Sequence, residues 1–281
     1  MKTQVSQDVN PVKWYEHLYG LTLERWNSFH GKNFWITGAG TGYGRCIACA
    51  LAAAGAQVFL TGRRIEKLQE TIEEIASFSI TTESCHIVKC DVTNYDDILR
   101  ACDKVKSLCS SLNGLVHCAA IPSKPGSLNP LQEDSLEYWN KIMATNVTAP
   151  WLSTKTIFPY MLNSGSIRVL FLTSGAGWAS TSGVGMYNVS KAALNSLCHS
   201  MAQEYAHSFP GKDIQMNALD PGEARTEMNQ GPTQSPYAVC SMVLILLSHP
   251  KGGPNGYFFH RDGRHLQFCY TEPYYKLLIV R

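Results

Sequence analysis

The sequence predicts a doubly wound α/β fold of the Rossmann type: a parallel sheet of seven strands with helices on both faces. Three observations predict it. Short runs of β-branched and aromatic residues alternate with longer stretches of helical period. The strand-then-helix order repeats, with short connections, from about residue 33 to about residue 263. A glycine-rich turn stands where the first strand passes into the first helix.

The elements follow in order. NFWIT (33–37) is the first strand, and the helix after its glycine turn runs to about 54. QVFLT (57–61) precedes a helix over 64–76, and CHIVK (85–89) a helix over 96–109. GLVHC (114–118) is followed by two helices, 134–145 and 148–162. IRVLFLT (167–173) leads to a long helix over 187–209, and IQMNAL (214–219) to a helix over 236–247. GYFFH (256–260) is the seventh strand. No internal repeat or low-complexity linker interrupts the series, so 33–263 is predicted to be one catalytic domain. Residues 1–32 and 264–281 are extensions, rich in aromatics: Trp14, Tyr15, Tyr19 and Trp26 in front, Phe268, Tyr270, Tyr274 and Tyr275 behind. Disordered tails are usually poor in aromatics. Each extension is therefore expected to pack on its own domain or on a partner subunit.

Composition narrows the function. A net charge of +2 over 281 residues gives no general attraction to nucleic acid or membrane. No stretch reaches the ~18 apolar residues of a membrane span, and the N-terminus lacks the apolar region of a secretory signal. Ten scattered cysteines suggest a reducing compartment, the cytoplasm. The single C-x-x-C, Cys46 and Cys49, lies in an Ala-rich helix. It is read as packed helix residues, and no metal site is expected.

Chemistry concentrates in a few places. TGAGTGYG, Thr37 to Gly44, has the strand–turn–helix context in which glycines let the backbone approach a pyrophosphate at a helix N-terminus. The second strand ends in LTGRR. An acidic residue there would select NAD, whereas Arg63 and Arg64 favour the 2′-phosphate of NADP. NADP(H) is the preferred cofactor and NAD(H) the second candidate. Tyr187 and Lys191 share one helix face at i, i+4. A nearby ammonium favours phenolate, so Lys191 is expected to lower the tyrosine pKa and to reach a bound ribose. The phenol then exchanges a proton with a carbonyl or alcohol oxygen. Ser174 follows the fifth strand, where strand ends meet the ligand crevice, and Asn146 falls between two helical stretches.

With these motifs together the chain resembles a short-chain dehydrogenase/reductase of the single-domain type, over about residues 30–263. The match comprises Thr37, Gly38, Gly42 and Gly44 of T-G-x-x-x-G-x-G, CDVT at Asp91 and Val92, Ser174 thirteen residues before Tyr187, the Y-x-x-x-K pair, and DPGEART. The resemblance implies Tyr187 as acid–base residue, Ser174 orienting the carbonyl, Lys191 tuning the phenol, and Asn146 supporting a proton-relay water. It places Asp91 and Val92 beside the adenine, and Pro221, Gly222, Ala224 and Thr226 beside the nicotinamide. Thr41, Tyr43 and Ala119 complete the implied cofactor contacts. The family's N-N-A-G reads HCAA here, His117 to Ala120. His117 and Cys118 are read as packed core residues. The predicted activity is hydride transfer between the nicotinamide and a small carbonyl or alcohol substrate. Candidate substrates are 3-oxoacyl thioesters, sugar ketones and polycyclic ketones. The alternative is a catalytically idle NADP-binding sensor or interaction module. The family's paired helices imply a homodimer or homotetramer, and Ala149, Leu152, Ala192, Ala193, Leu194 and Leu197 offer small and apolar residues for it.

Overall fold

The computed structural model describes residues 10–122, 130–179 and 182–266. Seven strands run parallel: β1 (Asn33–Thr37), β2 (Gln57–Gly62), β3 (Cys85–Lys89), β4 (Gly114–His117), β5 (Ile167–Leu172), β6 (Ile214–Asp220) and β7 (Phe258–His260). A short eighth strand, β8 (His265–Leu266), adds antiparallel to β7. It is an edge that the seven-strand reading did not include. The spatial order is β3-β2-β1-β4-β5-β6-β7-β8. The chain leaves β1 toward β2 and β3, then returns to the other side of β1 at β4. This reversal opens a crevice at the carboxyl ends of β1 and β4, the usual ligand position in such sheets.

The helices are α1 (Trp14–His17), α2 (Leu23–Asn27), α3 (Gly42–Ala53), α4 (Ile65–Ser77), α5 (Tyr95–Leu108), α6 (Leu136–Met143), α7 (Ala149–Met161), α8 (Met186–Ser208) and α9 (Cys240–Leu247). Strand alternation divides the core. Phe34 and Ile36 of β1 point into the layer with α3, α4 and α9, and Trp35 into the layer with α5, α7 and α8. The Trp35 indole N–H donates to Thr61 Oγ1 at 2.7 Å, so the one polar atom of this buried ring is satisfied.

Three boundaries depart from the predicted ones. Gly256 takes φ +84°, outside the extended region, and β7 starts two residues later than predicted. Pro236 opens the ninth helical segment as a 3₁₀ turn, Pro236–Val239, before α9. The predicted break between the two helices after β4 is a π turn, Ala144–Thr148. Pro150 has no N–H for the carbonyl of Asn146, and the wider turn lets Ala149 N–H reach back to Ala144 O instead.

The front extension is part of the core. Tyr19, Leu21, Trp26 and Phe29 are buried in the same cluster as α3 and α9. Trp26 stacks between Trp14 and Tyr19, with ring centroids 5.6 and 6.2 Å away. Arg25 donates to Ser248 Oγ at 3.1 Å and to the Ile245 carbonyl. Of the two surfaces expected for this extension, the structure gives its own domain. Residue 32 is therefore no packing boundary. In the rear extension β8 is described, while Phe268, Tyr270, Tyr274 and Tyr275 lie outside the described residues.

Candidate active site

β1 ends at Thr37, and the chain turns sharply through Gly38 at φ +68°. A Cβ on Gly38 would stand 2.7 Å from the Ala119 nitrogen, and one on Gly44 2.2 Å from the Gly38 carbonyl. Side chains are excluded at both, which lets β1, the end of β4 and the first turn of α3 close together. No side chain caps the N-terminus of α3. Its first N–H groups and the positive end of its dipole are available to an anion. Arg45 holds the turn from behind: its Nε donates to Gly40 O at 3.0 Å, and its Nη atoms lie 2.8 Å from Glu70 and 3.6 Å from Glu74 of α4.

The turn borders a cleft of ≈ 210 Å³. Of the expected cofactor residues, Gly38, Thr41, Gly42, Tyr43, Gly44, Arg63, Arg64, Asp91, Val92, Ala119 and Thr226 line it. Pro221, Gly222 and Ala224 are not among the lining residues, and Ala224 is only 1% exposed. Gly222 is tied to the cleft wall through its carbonyl, which accepts from the Tyr43 hydroxyl at 2.7 Å. Asp91 is fixed by its own turn: the Thr93 N–H and hydroxyl donate to its Oδ1 at 3.0 and 2.7 Å. Cys118, expected in the core, forms part of the cleft wall. His117 is buried as expected, with Nε2 2.8 Å from Thr154 Oγ1 and its ring stacked on Phe171. Burial lowers its pKa to about 3, so the ring is neutral.

One rim of the cleft is basic. Arg63 is exposed and makes no ion pair among the described residues. Arg64 Nη2 lies 2.8 Å from Glu227 Oε2. Lys67 Nζ lies 2.8 Å from Glu70 Oε1 and 3.9 Å from Glu227 Oε1. Lys67 and Glu227 carry no motif signal in the sequence, because each matters only through the neighbours that folding supplies. A glycine-only turn, an uncapped helix end and a cationic rim together fit the phosphates of a dinucleotide.

Tyr187 and Lys191 occupy the first turns of α8. Lys191 is 2% exposed; its Nζ donates to the Leu172 carbonyl at 2.9 Å and lies 5.4 Å from the Tyr187 ring centroid. Burial lowers the lysine to about 8, partly offset by Cys118 and Asp220. Tyr187 is raised to about 12, again by burial, with the Ser174 hydroxyl pulling down and Asp220 pushing up. This upward shift outweighs any lowering by Lys191. Burial dominates, and the ammonium is engaged by a strand carbonyl. Ser174 Oγ also accepts from the Ala176 N–H at 3.1 Å, which fixes the turn after β5. Asp220, at the end of β6 and the first residue of DPGEART, is a site carboxylate to which the sequence assigned no role, and its Oδ1 accepts from Gly222 N–H at 2.9 Å.

Asn146 is 1% exposed inside the π turn. Its amide clamps the segment after β4: Oδ1 accepts from Ile121 N–H at 2.9 Å, and Nδ2 donates to Ile121 O at 3.0 Å and Ser190 Oγ at 3.1 Å. The side chain thus joins the cleft wall to α8 at Ser190, between Tyr187 and Lys191.

A family model described as short chain dehydrogenase matches residues 32–236. This chain is a short-chain dehydrogenase/reductase. Dehydrogenase/reductase SDR family member 4 of Rattus norvegicus is 31% identical over 209 residues, covering 74% of this chain and 71% of that protein. A short-chain type dehydrogenase/reductase of Mycobacterium ulcerans superposes with a TM-score of 0.73 at 25% identity, covering 83% of this chain and 88% of its own. A short chain dehydrogenase structure from Shigella flexneri 2a, complexed with NADP, has a TM-score of 0.74 at 25% identity, covering 83% and 98%. The short-chain dehydrogenase/reductase described here is accordingly an NAD(P)-dependent oxidoreductase acting on a small-molecule substrate.

Proposed function

We propose that this enzyme is an NADP(H)-dependent reductase of a ketone or aldehyde. The observation that carries the reading is a phosphate-suited cleft whose Cys118 wall neighbours Lys191. Its basic rim suits a 2′-phosphate, and Lys191 stands against the Tyr187 ring, itself bonded to Ser174. The relative solved with NADP supports the cofactor assignment. When bound, the nicotinamide supplies hydride transfer.

The chain supplies the rest. Ser174 Oγ orients the reacting oxygen next to the phenol. The Tyr187 phenol, held near 12, keeps its proton throughout the neutral range and is suited to give it to a carbonyl oxygen. Lys191 places a positive charge below the ring, which stabilises negative charge as the phenol gives up its proton. Asn146 holds the Ile121 segment against α8 and so fixes the distance between cleft wall and phenol. An idle module would not need Tyr187, Ser174 and Lys191 together, and all three are present.

NADPH depletion over a panel of 3-oxoacyl thioesters, sugar ketones and polycyclic ketones tests the reading. Turnover with one class supports it. Tight NADPH binding without turnover on any ketone or aldehyde would favour the idle module. The reading includes a cytoplasmic setting, supported by the unpaired thiols among the described residues. It also includes a homodimer or homotetramer, supported by exposed Leu136, Trp139 and Trp151 on α6 and α7.

A further inference from the structure

The loop after β6 crosses the cleft and touches the cations at its rim. Thr226 and Asn229 exchange backbone hydrogen bonds of 2.9 and 3.2 Å, which folds residues 226–229 into a tight turn. Arg225 N–H donates to Gln234 O at 2.9 Å and closes the base of the loop. The tip carries Glu227 and Met228, both lining the cleft. From there the Glu227 carboxylate reaches Arg64 at 2.8 Å and Lys67 at 3.9 Å. These cations belong to the start of α4, directly after the strand end that faces the nucleotide ribose in such folds.

We propose that Glu227 is a specificity-determining residue: its carboxylate straps the loop onto the cations that would read a nucleotide 2′-phosphate. A 2′-phosphorylated nucleotide must displace it, and a nucleotide without that group need not. The inference rests on the NADP(H) reading of the cleft. A carboxylate and a phosphate accept from the same guanidinium and ammonium donors, so they compete for them. The pair is half exposed, with side-chain exposures of 53% and 49%, and pairs of this kind are weak. A phosphate arriving at the exposed Arg63 can therefore take Arg64 as well. The displaced carboxylate is then repelled by the phosphate dianion, and the loop tip moves away from the rim. With an unphosphorylated ribose the Glu227–Arg64 pair persists and the loop stays strapped.

Calorimetric titration of wild type and Glu227→Gln with 2′,5′-ADP and with 5′-AMP tests this without any turnover. Wild type is expected to prefer 2′,5′-ADP. Glu227→Gln is expected to tighten 2′,5′-ADP by about two- to five-fold, and to leave 5′-AMP unchanged. If wild type prefers 2′,5′-ADP but the variant tightens neither probe, or both equally, the strap is refuted and the cofactor reading stands. If neither protein distinguishes the probes, both are overturned.

Discussion

Tyr187 is the residue on which the chemistry turns. Tyr187→Phe removes the proton donor and keeps the ring, so turnover is expected to fall by roughly 10²–10⁴-fold while nucleotide affinity holds within a few-fold. Steady-state kinetics paired with a binding titration checks this. The pH dependence belongs to its neighbour. Below about 8 Lys191 keeps its ammonium; above it the amine is neutral, while the phenol near 12 stays protonated. Reduction is therefore expected to be flat on the acid side and to fall as pH rises through about 8. Lys191→Met should abolish that limb, and a limb that survives the substitution would assign it elsewhere. At this scale the sequence disclosed what spacing encodes: Tyr187, Lys191, Ser174 and the glycines each sit in a short motif. It did not disclose Glu227, whose partner Arg64 is 163 positions away, nor Lys67, nor the part played by Asp220, which matter only through neighbours that folding supplies. The sign of the Tyr187 shift was also hidden, because desolvation is a property of the packed site.

Among the elements, the turn between β1 and α3 tolerates least change. Gly44→Ala would force a Cβ to 2.2 Å from the Gly38 carbonyl. The helix start must shift, and dinucleotide affinity is expected to fall at least about ten-fold in a fluorescence titration. The π turn gives a second test. Asn146→Ala leaves the N–H and carbonyl of Ile121 without their partners, at a cost of about 1–3 kcal/mol for each buried group that stays unpaired. Denaturant unfolding would show that loss. A larger effect on turnover than on stability is expected as well, since the clamp sets the cleft wall against α8. Strands and helices were legible because their periods differ, and most ends fell within two residues of those predicted. The π turn was not: Pro150 announces a lost hydrogen bond, but only the packed chain shows that the helix widens rather than stops. The eighth strand escaped because two residues carry no period.

For the molecule as a whole, the front extension and the exposed helix face have opposite fates. Tyr19, Leu21, Trp26 and Phe29 are buried, and burying each such side chain contributes about 1.5–3 kcal/mol. Their sum is comparable to the ~5–15 kcal/mol that stabilises a typical domain. Deletion of residues 1–32 is thus expected to leave a chain that does not unfold cooperatively, as thermal circular dichroism would show. On the opposite layer, Ala149 and Leu194, offered by the sequence as interface residues, are 2% exposed within their own subunit. Ala192 stays exposed and Leu152, Ala193 and Leu197 half-buried, and Leu136 at 74%, Trp151 at 41% and Trp139 at 37% add larger apolar surface. Light scattering is expected to give a mass of at least two chains, and Trp151→Glu to shift it toward one. A wild-type monomer at micromolar concentration would contradict the assembly. The sequence named helices for an interface, but it could not tell which of their faces the domain itself uses.

The packing of residues 14–29 on the layer with α9 also governs how the chain is made. Arg25 finds its acceptors at Ile245 and Ser248, 220 and 223 positions downstream. At about 5–20 residues per second, the ribosome takes roughly 10–40 s to supply them. During that interval the stacked rings of Trp14, Tyr19 and Trp26 lack the α9 part of their burial site, even after β1, β2 and β3 have emerged. The earliest part of the polypeptide is among the last to find its place, so the nascent chain is a natural client for a chaperone that holds aromatic segments until synthesis is nearly complete.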